Sequence, residues 1–106
     1  MRILLDECVP RGLKRSLHGF QLVQTVPEGG FAGLTNGRLL RAIVGQFDVF
    51  ITVDKSIQFQ QNLAQYPVGF VLLRSISNDI ADIQPLVPKL LNRLLEVAPG
   101  KLLIIE

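Results

Sequence analysis
From end to end this chain alternates short, continuous apolar runs with segments of helical spacing, and few architectures accommodate that alternation. Residues 2–6, 20–25, 48–53, 68–73 and 101–106 read as strands, the second of them weaker. Between them, Pro10 suits the first turn of a helix running to His18, and Gly19 suits its end. Asn36 is placed to cap a second helix whose Leu39, Leu40, Ile43, Val44 and Phe47 share one face. A third helix is expected over 56–65, with Phe59, Leu63 and Tyr66 on its inner side. A fourth lies within 78–97, where Pro85 and Pro88 must start or kink it. Parallel strands need a crossover long enough to hold a helix. The order therefore predicts a three-layer α/β/α fold around a five-stranded, mainly parallel sheet. Every crossover is expected to be right-handed.

A chain of 106 residues suits one domain, and 48% hydrophobic content can build its core without cross-links. Cys8 stands alone, so an internal disulfide is excluded. No apolar stretch approaches the roughly 20 residues of a membrane span, and Asp6 and Glu7 interrupt the N-terminal run too early for a signal peptide. A cytoplasmic protein with no membrane partner is the expectation. The net charge of +2 implies no strong polyanion preference by itself.

Two aspartates close two of the clearest strands: Asp6 after Ile3-Leu4-Leu5, and Asp54 after Ile51-Thr52-Val53. Ligands of open α/β sheets bind beyond the carboxyl ends of the strands. Neighbouring strands lie about 4.8 Å apart, so carboxylates on adjacent ends can share one ion. Magnesium and manganese take such hard oxygen donors, and metal-assisted hydrolysis of a phosphodiester is the chemistry they suit. Asp6 and Asp54 are then the metal ligands, and Glu7 a third ligand or proton acceptor. The plainer alternative is that acids after a strand cap the next helix. Thr52 alternates with Asp54 along its strand, which points its hydroxyl at the same site.

Three blocks of residues resemble the small bacterial PIN-like proteins. Leu4-Leu5-Asp6-Glu7-Cys8-Val9-Pro10 is similar to their "LLDEN-x-P" opening. Gly33-Leu34-Thr35-Asn36-Gly37-Arg38-Leu39-Leu40 is similar to the "GLxNGxLL" block of one subgroup. Phe47-Asp48-Val49 through Thr52-Val53-Asp54, then Gln60-Gln61-Asn62-Leu63, is similar to "FDVxxTxD…QQNL". The resemblance spans the first two thirds of the chain. It implies a PIN-like fold and a magnesium- or manganese-dependent endoribonuclease, often discussed as the toxin of a toxin–antitoxin pair. Asp6 and Asp54 match the catalytic aspartates, and Glu7 the acid beside the first. RNA, an antitoxin protein and a second copy of the chain are the implied partners. The departure is Arg38, which stands where the subgroup often has Glu, while Asn36 is an amide. The implied metal site is short of one carboxylate, and the alternative is a weakened module that binds RNA or a protein without cleaving.

The remaining polar residues divide between function and surface. Lys55, Arg11 and Arg38 are candidates for phosphate contacts, and Asn36 and Gln61 for contacts with the substrate. Arg11, Lys14, Arg15 and His18 fall at spacings of three and four, forming a basic stripe on the first helix or simply its solvated face. Cys8 reads as a half-buried thiol, with no base to activate it. Gly29-Gly30 lacks the context of a dinucleotide-binding loop. A receiver-like reading of Asp6, Glu7 and Lys55 fails on position, since its lysine belongs after a later strand and Arg74 stands there instead.

Overall fold
The computed structural model describes residues 1–60 and 62–106. Five strands, β1 (Arg2–Leu5), β2 (Leu22–Thr25), β3 (Val49–Thr52), β4 (Gly69–Leu73) and β5 (Leu102–Ile105), form one sheet. All pairings are parallel and the order is β2-β1-β3-β4-β5. The helices are α1 (Asn36–Ile43), α2 (Ile57–Gln60), α3 (Ile80–Ile83) and α4 (Val87–Arg93). Shorter 3-10 segments cover Arg11–Ser16, Leu63–Gln65, Gln84–Leu86 and Leu94–Glu96. Among the described residues no helix is long and apolar enough to cross a membrane.

Strand alternation splits the core into two layers. On the front face, Ile3, Leu5, Val49, Ile51, Val71 and Leu73 pack with Leu13 and Leu17 of the first connection and with Ile83, Val87, Leu90 and Leu94 of the last. On the back face, Leu4, Phe50 and Phe70 pack with Leu39, Leu40 and Ile43 of α1 and with Ile57, Leu63 and Tyr66. The middle of β1, β3 and β4 is buried on both sides, which is why these strands read as unbroken apolar runs.

The expectation of a single crossover hand fails at the last connection. The first connection crosses the front face while moving outward from β1 to β2. The next two cross the back face while moving the other way, so all three share one hand. The β4-to-β5 connection moves with those two but crosses the front, and so has the opposite hand. Its reason is coverage. The Arg11–Ser16 turn is too short to shield the front of β3, β4 and β5, and α3 with α4 supply the missing layer.

The helices are shorter than their spacing suggests. The expected 10–18 helix is a six-residue 3-10 segment, and Gly19 reverses the chain beyond it at φ +90°. Thr35, not Asn36, takes the capping position of α1, and Asn36 is its first helical residue. The expected 56–65 helix holds one α turn and a separate 3-10 turn. Phe59 is therefore 83% exposed, where it was expected inside. In the last connection Pro85 lies in the 3-10 turn and Pro88 in the first turn of α4, positions where a missing N–H leaves no helix bond unmade.

Candidate functional site
The connections after β1 and β3 depart to opposite faces, so the carboxyl ends of these adjacent strands flank a topological switch point. Asp6 and Asp54 stand on either side of it. The Asp6 backbone N–H continues the sheet to the Ile51 carbonyl at 2.9 Å, which sets Asp6 beside Thr52. Among the described residues Thr52 is the one buried polar side chain, with no exposed surface. Its hydroxyl donates to Asp6 Oδ2 at 2.7 Å and accepts the Asp54 backbone N–H at 3.0 Å. One buried hydroxyl thus ties both aspartates to the end of β3.

Each carboxylate is also held by its own loop. Asp6 Oδ1 accepts the Glu7 N–H at 2.8 Å. Asp54 Oδ1 accepts the Ser56 N–H at 3.0 Å and the Ser56 hydroxyl at 2.7 Å, a turn that starts α2. The Asp54 side chain thus orders the turn before α2 without accepting an N–H of the helix itself. Cys8 Sγ lies 3.5 Å from Asp6 Oδ2 and 3.4 Å from Thr52 Oγ1. Burial pushes the thiol pKa up, a hydrogen bond with Thr52 opposes this, and the Asp6 charge raises it further. Cys8 is a protonated donor to the site rather than a nucleophile. Sequence reasoning placed the Thr52 hydroxyl at the site but missed this thiol contact; the spacing of Asp6 and Cys8 carried no signal for it.

Asp6 and Glu7 form the wall between two clefts. The back cleft, about 250 Å³, runs over Val26 and Leu39 to Gly33, Thr35 and Asn36 at the start of α1. The front cleft, about 220 Å³, is closed by Arg11, Thr25 and Pro27. The structure therefore gathers Asp6, Glu7, Asn36 and Arg11 around one edge, with Asp54 joined through Thr52. Lys55 and Arg38 are exposed and line neither cleft. Gln61 lies outside the described residues. The basic stripe is divided, because Lys14 is held by Glu28 at 2.8 Å while Arg11 lines the cleft. Glu28, which the sequence reading passed over, also accepts the Thr25 N–H at 2.9 Å. Its spacing of three from Thr25 is the signal that was available.

The donor set bears on the implied metal. Among the described residues no three His, Cys, Asp or Glu side chains gather to hold an ion, so Glu7 does not complete a cage. Nor does any Lys or Arg there pair with Asp6, Glu7 or Asp54. A carboxylate offers about four lone-pair sites, and these hydrogen bonds leave each aspartate with acceptor capacity in hand. Two such groups fit magnesium, which is commonly held by one or two carboxylates plus water and substrate phosphate. Comparison with family models, curated proteins and solved structures finds no match for this chain.

Proposed function
We propose that this chain is a PIN-like, metal-dependent endoribonuclease whose cation is completed by the phosphate of its RNA. The observation that carries this reading is the pair of aspartates joined through Thr52 at the switch point, with no Lys or Arg ion-paired to either among the described residues. Asp6 and Asp54 hold Mg²⁺ or Mn²⁺, which when bound supplies positive charge for the phosphodiester and lowers the pKa of an attacking water. Thr52 fixes the Asp6 carboxylate through its hydroxyl and the Asp54 main chain through its oxygen. Glu7, exposed beside Asp6, accepts a proton from the water. Arg11, at the mouth of the front cleft, takes a flanking phosphate. The toxin role, with an antitoxin protein as partner, rests on the resemblance of the sequence blocks alone.

The test is cleavage of unstructured RNA with manganese by purified protein and its Asp6→Asn and Asp54→Asn variants. Loss of cleavage in both supports the reading, and undiminished cleavage in either ends it. A second reading, a module that binds RNA without cutting it, is favoured by the lack of a three-acid cluster among the described residues and by Arg38 in place of an acid. Calorimetry separates the two. Absence of metal binding at millimolar concentration, with RNA affinity intact, selects the module.

A further inference from the structure
The two helical layers differ in charge. Between Leu34 and Pro67, the stretch that supplies the back layer, the only acids are Asp48 and Asp54. Asp48 is bound to Arg2, and Asp54 belongs to the site at the carboxyl edge. The same stretch carries Arg38, Arg41 and Lys55, all exposed, and none has an acidic partner within salt-bridge distance among the described residues. The front layer is mixed, with Lys14 and Arg93 each paired to a glutamate.

An aromatic ring stands in the back layer too. Leu39, Leu40 and Ile43 of α1 and Ile57 of α2 face the sheet, so Arg38, Arg41 and Phe59 occupy the outer surface of the same layer. Phe59 is 83% exposed, on the single helical turn that Asp54 starts. A solvated phenylalanine contributes nothing to the core. An exposed ring on the same layer as unpaired cations is what a polynucleotide with unstacked bases can bind, phosphates to the cations and a base to the ring. An acidic peptide would use the charges and leave the ring idle.

We infer that the outer surface of α1 and α2 is a polynucleotide-binding surface, with Phe59 stacking a base and Arg38, Arg41 and Lys55 holding the backbone. It extends the proposed RNA reading to residues outside the acidic site, yet needs neither metal nor cleavage. The back cleft opens beside the first turn of α1, so a strand held here leads towards Asp6.

The chain has no tryptophan, so Phe59→Trp gives a single reporter at the surface. The titrant is an unstructured 12-nucleotide RNA with EDTA present, so that binding is read without cleavage. Quenching of the tryptophan is expected, with affinity falling as salt rises at a log–log slope of about −2 for three phosphate contacts. Phe59→Ala should weaken binding about tenfold or more at an unchanged slope. Arg38→Ala with Arg41→Ala should flatten the slope. All of these positions are exposed, and matched thermal melts confirm folding. RNA binding with silent tryptophan emission overturns the inference, as does polyglutamate competing as well as RNA, which would assign the surface to an acidic protein. Absence of binding at low salt overturns it too. Quenching in a protein that never cleaves would end the nuclease reading alone, whereas cleavage with unchanged emission would end only this surface.

Discussion
Asp48 stands before β3 at the amino edge of the sheet, Asp6 and Asp54 stand after β1 and β3 at the carboxyl edge, and the two edges treat their aspartates differently. At the amino edge, Asp48 accepts the Arg2 backbone N–H at 2.7 Å and the guanidinium through both oxygens at 3.3 Å. The same guanidinium reaches the Gly45 carbonyl at 3.1 Å. Arg2 holds the Asp48 carboxyl below its ordinary pKa. At the carboxyl edge, Asp6 and Asp54 receive, among the described residues, only neutral donors: two hydroxyls, a thiol and backbone N–H groups. The same residue type is thus ion-paired within the chain at the amino edge and, among the described residues, has no Lys or Arg paired to it at the carboxyl edge. The first arrangement locks two strands together. The second leaves two carboxylates that no Lys or Arg pairs with among the described residues, the feature on which the proposed site rests.

Substitutions should separate the two edges. Asp6→Asn is expected to lower manganese-dependent RNA cleavage at least about 100-fold, with only a modest loss of stability, because the amide oxygen keeps one of the two donors, Thr52 or the Glu7 N–H, while its NH2 cannot accept from the other. Asp48→Asn should do the reverse, leaving cleavage intact and lowering stability by about 0.5–1 kcal/mol, as for a half-exposed ion pair. Thr52→Val joins the two outcomes. It strips the Asp6 carboxylate and the Asp54 N–H of a buried partner and should destabilise by about 1–3 kcal/mol, with cleavage falling as Asp6 loses its orientation. Thr52→Ser keeps the hydroxyl and should restore most of the activity.

Acid provides a finer contrast. Lys14, through its hydrogen bond, and then the Thr25 N–H hold the Glu28 pKa down at about 2, against an ordinary 4.5. A carboxyl depressed on folding adds stability that is whole above its unfolded pKa and is lost as pH falls through its folded one. The Glu28 contribution should therefore fade between about pH 4.5 and about 2. In Lys14→Ala, NMR titration should show the Glu28 pKa returning towards its ordinary value, with cleavage at neutral pH unchanged.

The strands were readable in the sequence because each is an unbroken apolar run, and a sheet buried on both faces demands that. Asp6 and Asp54 at the strand ends were readable for the same reason, as was the Thr52 hydroxyl, by alternation. What the sequence concealed is tertiary. The hand of the last connection follows from an uncovered front face, which no local pattern encodes. Phe59 fitted a helical stripe with Leu63 and Tyr66, but α2 lasts one turn, and the chain turns Phe59 out before Leu63 comes in. The 3-10 segment after β1 had helical spacing too, and only its length in three dimensions divided the basic stripe between Glu28 and the cleft.

The difference between the edges can be read without catalysis by adding Mn²⁺ to the ¹⁵N-labelled protein and following paramagnetic broadening. Selective broadening of the Glu7, Asp54 and Ser56 amides, abolished by Asp6→Asn and absent around Arg2 and Asp48, is the predicted result. Uniform broadening, or broadening centred on Asp48, would contradict it.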